Sequence, residues 1–253
     1  MHTLAVDIGN SNIVVALYRG DHQLQLFRYS SLEVQPETFY SHGLQELLLE
    51  WRVHPTDIQR VAISSVVPPL TDVLASGAES IFGFAPLVMG PELYARLPFR
   101  VPKPYEIGSD IVANAIAIYH KYGRDCIVVD FGTALTFSIV SYPAGIEGVT
   151  IAPGINTAIK ALAGNTAQLP EADISLPDSV IGKDTQHAIQ AGVLHGYVGL
   201  TTHLIKAIQA ELSSTHHVIA TGGMANLLPL SPTVDTIDKS LTLDGIRLAC
   251  KYA

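Results

Sequence analysis

The chain has 253 residues, 48% of them apolar and only 15% charged, well under the roughly 25% charged share of an average globular protein. That composition excludes a disordered chain, and the length suffices for one or two domains with a core that needs no staples. Acidic residues outnumber basic ones 23 to 15, for a net charge of −8. No global positive field is available to hold nucleic acid or an anionic membrane, so an anionic small molecule would need local donors.

From the N-terminus, Leu4-Ala5-Val6 predicts a buried strand that stops at Asp7-Ile8-Gly9-Asn10-Ser11-Asn12, with a second strand from Ile13 to Tyr18. Arg19-Gly20-Asp21 turns the chain into an alternating strand from Gln23 to Tyr29. Pro36-Glu37 opens a helix to about Trp51. Val61-Ala62-Ile63 reads as a strand ending in Ser64-Ser65, and a helix runs from about Pro69 to Ile81. Three prolines make Leu97 to Gly108 a loop. Asp110 to Tyr122 is helical, with Ile111, Ala115 and Ile118 on one face.

The order then restarts. Cys126 to Val129 is apolar and ends at Asp130-Phe131-Gly132-Thr133-Ala134, Leu135 to Val140 is a strand, and Gly148 to Ile151 returns after Tyr142-Pro143-Ala144-Gly145. Helices follow over Asn156 to Ala163 and Asp184 to Leu212. Val218-Ile219-Ala220 ends in Thr221-Gly222-Gly223, and a last helix covers Leu243 to Tyr252. The two halves share one order: strand, Asp-x-Gly turn, strand, strand, helix, then a strand closing in small polar residues. The spacing exceeds a solenoid period and predicts two α/β domains of one topology facing each other across a cleft.

Cys126 and Cys250 form no CxxC pair and read as buried free thiols in a reducing compartment. The first residues lack the basic region of a secretory signal, and no apolar run approaches the length of a membrane span. The expectation is a soluble cytoplasmic protein.

A strand–Asp-x-Gly–strand turn can present backbone N–H groups to a phosphate, with side-chain donors from Asn10, Ser11 and Asn12. The carboxylate at the strand end suits Mg²⁺ held through water. One such turn is an ordinary hairpin as readily as a phosphate loop; two, at equivalent places of a repeat, favour gripping the two ends of a triphosphate. Ile151-Ala152-Pro153-Gly154 and Thr221-Gly222-Gly223 are further glycine turns, the latter able to offer helix N-terminal amides to a nucleotide. Gly108-Ser109-Asp110 opens a helix. Ser109 or Asp110 would cap it, or Asp110, kept ionised by the helix N-terminus, would serve as a base. His187, His195 and His203 step by eight residues, about 80° each, and cannot form a one-face metal site. Gly192, Gly196 and Gly199 share a face and predict close packing against another element or a second subunit.

Asp7-Ile8-Gly9-Asn10-Ser11, Gly108-Ser109-Asp110, Asp130-Phe131-Gly132-Thr133-Ala134, Ile151-Ala152-Pro153-Gly154, Ile181-Gly182-Lys183-Asp184-Thr185 and Thr221-Gly222-Gly223 come in one order over essentially the whole chain. In that order the chain resembles the type III pantothenate kinases. The resemblance implies an α/β fold of two ribonuclease H-like halves of the actin/hexokinase/Hsp70-like superfamily. Here these would be residues 1–115, with the phosphate loop and substrate turn, and 116–253, whose last helix can pack back on the first half. It implies phosphorylation of pantothenate by ATP, with Mg²⁺ and a monovalent cation (K⁺ or NH₄⁺), in a cytoplasmic homodimer without nucleic-acid or membrane partners. By position, Asp7, Ile8, Gly9, Asn10, Ser11, Asn12, Ile13, Val14 and Thr133 would bind ATP. Asp110 would be the proton acceptor, Asp130 the monovalent-cation ligand and Asp7 the Mg²⁺ contact. Gly108, Ser109, Asp110, Ile111 and Thr185 would line the pantothenate site. Three positions depart from the family pattern: Ile111 replaces an arginine, Val101 a tyrosine and Ser138 an aspartate. The first two remove a charge and an aromatic wall from the substrate side. An alternative reading is therefore a nucleotide-binding regulatory protein on the same scaffold, and a third is a small kinase for another hydroxyl substrate.

Overall fold

Strands of two to nine residues fold here as two separate five-stranded sheets. The computed structural model describes residues 1–31 and 37–253. Its first unit holds Met1–Gly123 together with Ser240–Ala253, and its second holds Arg124–Lys239.

In the first unit, β1 (His2–Ile8), β2 (Asn12–Arg19) and β3 (His22–Ser30) form an antiparallel meander. Then come α1 (Glu37–Glu50), β4 (Ile58–Ser65), α2 (Pro68–Phe82), β5 (Leu87–Val88), α3 (Pro91–Tyr94) and α4 (Ser109–Ala117). The expected helix start at Pro36 lies outside the described residues. The sheet order is β3-β2-β1-β4-β5, with β4 and β5 parallel to β1. Leu4, Val6, Ile8, Ile13, Val15 and Leu17 fill its core against α1 and α2.

The second unit repeats this plan. It runs β6 (Cys126–Phe131), β7 (Ala134–Ser141), β8 (Gly145–Pro153), α5 (Ile155–Gly164), α6 (Thr185–Gln190), α7 (Gly196–Glu211), β9 (His217–Thr221) and β10 (Thr236–Ile237). The order β10-β9-β6-β7-β8 is that of the first sheet read from its other edge. Ile127, Val129, Leu135, Phe137, Val218 and Ala220 form its core.

The change of unit does not fall at 115/116. The α4 backbone continues through a wider π turn, Ile118–Tyr122, and ends at Gly123 in the left-handed region at φ 59. α4 is buried on all sides, not on one face. The C-terminal helix α8 (Leu241–Ala249) crosses it so closely that a Cβ on Gly245 would stand 1.8 Å from the Ala113 carbonyl oxygen. Thr242 donates to Asn114 Oδ1 at 2.8 Å, and Lys121 pairs with Asp244 at 2.5 Å.

The expected helix Asp184–Leu212 is α6 and α7 joined by a π turn, Ala191–His195. Among the described residues nothing lies within 4 Å of a Cβ built on Gly192, Gly196 or Gly199, so these glycines face open space there instead of a packed neighbour. His187 and His195 instead meet the carbonyls of Ser179 and Pro177, each at 3.0 Å. Both cysteines are buried free thiols. No helix among the described residues is long and apolar enough to cross a membrane.

Candidate functional site

The first Asp-x-Gly turn joins β1 to β2. Its Gly9 N–H is taken by the Asn12 carbonyl at 2.9 Å, so that donor is spent closing the turn. Asn10 is exposed, and Asp7, Gly9, Ser11 and Asn12 are partly so. Ile8 and Ile13 are 0% exposed in the core and Val14 is buried; these three can meet a ligand only through backbone atoms. Ser31, buried at the end of β3, braces the turn from behind: its hydroxyl donates to the Gly9 carbonyl at 2.6 Å and its N–H to the Ser11 carbonyl at 3.1 Å. Nothing in the local pattern singled out this serine, because the contact spans a strand pair.

Asp7 stands opposite Ser64 in the parallel β1–β4 register, so both side chains leave the same face of the sheet. From Ser64 the structure leads to the Gly108-Ser109-Asp110 turn. The Ser64 and Ser109 hydroxyls are 2.9 Å apart, and Ser109 Oγ also donates to the Ser65 carbonyl at 2.9 Å. Ser109 is thus buried against β4; it neither caps α4, whose N-cap is Gly108, nor presents its hydroxyl outward. Asp110 is no cap either. Its Oδ1 accepts from the next N–H, Ile111, at 2.9 Å, and the carboxylate folds over Gly108. A Cβ on Gly108 would come 2.4 Å from that oxygen, so only glycine leaves the carboxylate this place. Ile111 is buried, and its amide is already engaged by Asp110.

Burial raises the Asp110 pKa above its ordinary 3.8, outweighing the amide bonds that lower it. The helix N-terminus was expected to keep the carboxylate readily ionised; desolvation wins instead. The shift makes Asp110 a stronger proton acceptor once ionised. Tyr94, buried at the end of α3, is pushed up to about 12 by burial and then by the Asp110 charge, and so stays a neutral phenol.

In the second unit the turn after β6 is held from the start of α5. Gly132 N–H donates to Ala134 O at 3.1 Å, while Gly154 N–H and Thr157 Oγ1 both donate to the Thr133 carbonyl, at 3.0 and 2.7 Å. Gly132 and Thr133 are exposed. Asp130 pairs in register with Thr221 on β9. A Cβ on Gly222 would lie 2.5 Å from Asp130 Oδ1, so the carboxylate rests over the Thr221–Gly222 link. The Thr221 hydroxyl is buried and has no hydrogen-bond partner among the described residues. Among those residues no group of three or more His, Cys, Asp or Glu forms a metal cage. Ions here would rest on single carboxylates, hydroxyls and ligand oxygens.

Thr185 starts α6, behind Asp184, whose carboxylate caps the helix by accepting from His187 N–H at 2.8 Å. It lines an open pocket with Leu162, Leu169, Lys183, Ala188 and Val193.

The family model for type III pantothenate kinase matches residues 3–207. A type III pantothenate kinase of Geobacter sulfurreducens is 39% identical over 246 residues, covering 97% of this chain and 96% of its own length. Among solved structures, the ethanolamine utilization protein EutJ from Carboxydothermus hydrogenoformans matches with a TM-score of 0.58 at 18% identity, covering 98% of this chain and 89% of that one. The inorganic polyphosphate/ATP-glucomannokinase from Arthrobacter sp. strain KM matches with a TM-score of 0.51 at 12% identity, covering 99% and 98%. At such identities these two structures speak for the fold alone, an α/β architecture of two units.

Proposed function

The chain belongs to the type III pantothenate kinase family, and we propose that its reaction, phosphorylation of pantothenate by ATP to open coenzyme A synthesis, uses Asp110 as the proton acceptor. The observation that carries this reading is the Asp110 carboxylate itself: folded over Gly108, desolvated, and raised in proton affinity by burial. The pantothenate hydroxyl attacks the γ-phosphorus, the new O–P bond forms as the bond to the bridging oxygen breaks, ADP departs, and the hydroxyl proton passes to Asp110. Such transfer relies on alignment and charge screening more than on covalent chemistry by the protein. A base raised in pKa suits the proton step, which is worth about 10²–10⁴ in rate.

The Asp7–Asn12 turn handles the phosphates through Asn10, Ser11, Asn12 and backbone donors, and Asp7 meets Mg²⁺ through water. Thr133 touches ATP from its exposed turn. Asp130 holds the monovalent cation, K⁺ or NH₄⁺. The buried, unpartnered Thr221 hydroxyl beside it fits that role, since it offers a second oxygen to a hard cation. When bound, the cation supplies positive charge that screens Asp130 from the phosphates. Gly108, Asp110 and Thr185 contact pantothenate, Ile111 through its surroundings only. The exposed Gly192, Gly196 and Gly199 stripe supports a homodimer, and the assembly is cytoplasmic. Coupled ADP release with and without pantothenate tests the reading. Asp110→Asn should retain ATP binding and lose turnover by about 10²–10⁴; near-normal turnover removes the base assignment.

A further inference from the structure

Ser64 and Ser109 are among the few polar side chains sealed inside the first unit, at 0% and 5% exposure. Their contact closes 45 residues of sequence and joins the end of β4 to the start of α4. Ser109 has one hydroxyl proton, and the Ser65 carbonyl takes it at 2.9 Å. In the 2.9 Å contact between the two hydroxyls, Ser64 is therefore the donor and Ser109 the acceptor.

Each end of this chain of bonds is tied to something rigid. Ser64 lies opposite Asp7 in the β1–β4 register. The next residue, Ser65, accepts from Thr71 Oγ1 on α2 at 2.6 Å and from Val67 N–H at 3.1 Å, which ties the strand end to α2. Ser109 is the residue directly before Asp110, and α4 is packed on every side. Ser109 and Asp110 share a peptide bond, so a shift of Ser109 moves the backbone from which the Asp110 carboxylate projects.

We propose that Ser64 is a positioning residue for the phosphoryl transfer: through Ser109 it fixes the turn that bears Asp110 against the strand that bears Asp7. The inference rests on Asp110 being the base. It gives Ser109 a role facing inward, away from the substrate, and assigns a function to Ser64, which the sequence marks only as a small polar residue at a strand end. A reacting group displaced by about 1 Å can lose about 10²-fold in rate, so a hydroxyl that sets its register acts on kcat.

The test measures kcat, KM for ATP, KM for pantothenate and the melting temperature of Ser64→Ala, Ser109→Ala, Ser109→Thr and Asp110→Asn in the full chain. Ser64→Ala should lower kcat about tenfold while KM for ATP stays within about twofold. Ser109→Ala, which removes both bonds, should lose more, and Ser109→Thr, which keeps the hydroxyl, should recover most of that loss. The inference is overturned if both alanine variants keep kcat within twofold, or if the Ser109→Thr kcat is no better than that of Ser109→Ala. It is also overturned if both alanine variants fail to fold, since the pair then serves stability. Asp110→Asn separates the two readings. If it keeps turnover, the base assignment falls. If it is inert while both serine variants are normal, only the role of Ser64 and Ser109 falls.

Discussion

Gly154→Ala adds one methyl group at a point where backbone conformation does not call for glycine. Gly154 has φ −72 and ψ 161, extended values any residue adopts. The requirement is space. A Cβ there would stand 2.3 Å from the Gly132 carbonyl oxygen and 2.4 Å from that of Thr133, where ordinary contact begins at 3.4 Å. The obstacles are backbone atoms of the turn after β6, which no side-chain rotation can clear, so the turn must retreat by about 1 Å. Overpacking of this kind costs about 1–3 kcal/mol. Loss of the 3.0 Å bond from Gly154 N–H to Thr133 O adds about 1 kcal/mol. For a chain of this size each kcal/mol moves the melting temperature by about 2–4 °C, which gives a fall of roughly 5–15 °C. The displaced turn carries Thr133 and adjoins Asp130 at the end of β6, the residues proposed to serve ATP and its cation, so KM for ATP should rise more than KM for pantothenate. Gly164→Ala, at the end of α5 and outside the proposed dimer stripe, is the control: a Cβ there meets nothing within 4 Å among the described residues. Scanning calorimetry and steady-state kinetics on both variants decide the matter. A Gly154→Ala protein that melts within about 2 °C of the parent with unchanged KM for ATP would refute the steric reasoning.

Three further outcomes follow from particular groups. Because burial raises the Asp110 pKa, the folded state holds this proton more tightly than the unfolded one. The site is therefore free of cost below the ordinary pKa and destabilising as pH rises through the folded value. Asp110→Asn should thus raise the melting temperature at pH 7–8, and the gain should vanish as pH falls toward about 4; a gain independent of pH would point elsewhere. If Asp130 and Thr221 hold the cation, added potassium should raise the melting temperature of the parent in sodium-free buffer, less so for Thr221→Val, and not at all for Asp130→Ala. An equal potassium response in all three excludes both residues. Gly196→Leu should leave the fold intact, since the position faces open space within the chain, but reduce a dimeric mass to monomeric in light scattering; an unchanged dimer mass would place the subunit contact elsewhere.

The strands and both Asp-x-Gly turns were readable from sequence because they depend on local terms. Apolar runs such as Ile13–Tyr18 and Cys126–Val129 bury themselves, and Asp, Gly and Asn end them. Their repetition announced two sheets of one topology, which the strand orders bear out. The two-residue strands β5 and β10 and the four-residue α3 left no pattern, being too short to show a period. They exist because a neighbouring strand or a capping turn holds them.

The chemistry divides in the same way. Sequence alone determined which residue types stand at the strand ends and at the opening of α4, and, through the order of its motifs, the family. Tertiary structure decided how those residues are used. Ile111 lies where an arginine was expected and is buried, because α4 is enclosed on every side and Gly245 lets α8 press against it. Ser109 turns inward because its partners, Ser64 and Ser65, come from a strand 44 to 45 residues earlier. The pKa of Asp110 rises because desolvation, a property of everything packed around it, exceeds the pull of the local amides. Glycine at 154 and 222 answers to backbone and carboxylate oxygens brought there by other strands. Hydropathy and turn preference act between neighbours in the chain and can be read in one dimension. Close approach, burial and hydrogen-bond partnership across strands are properties of the folded packing, and they come into being only when the sheets form.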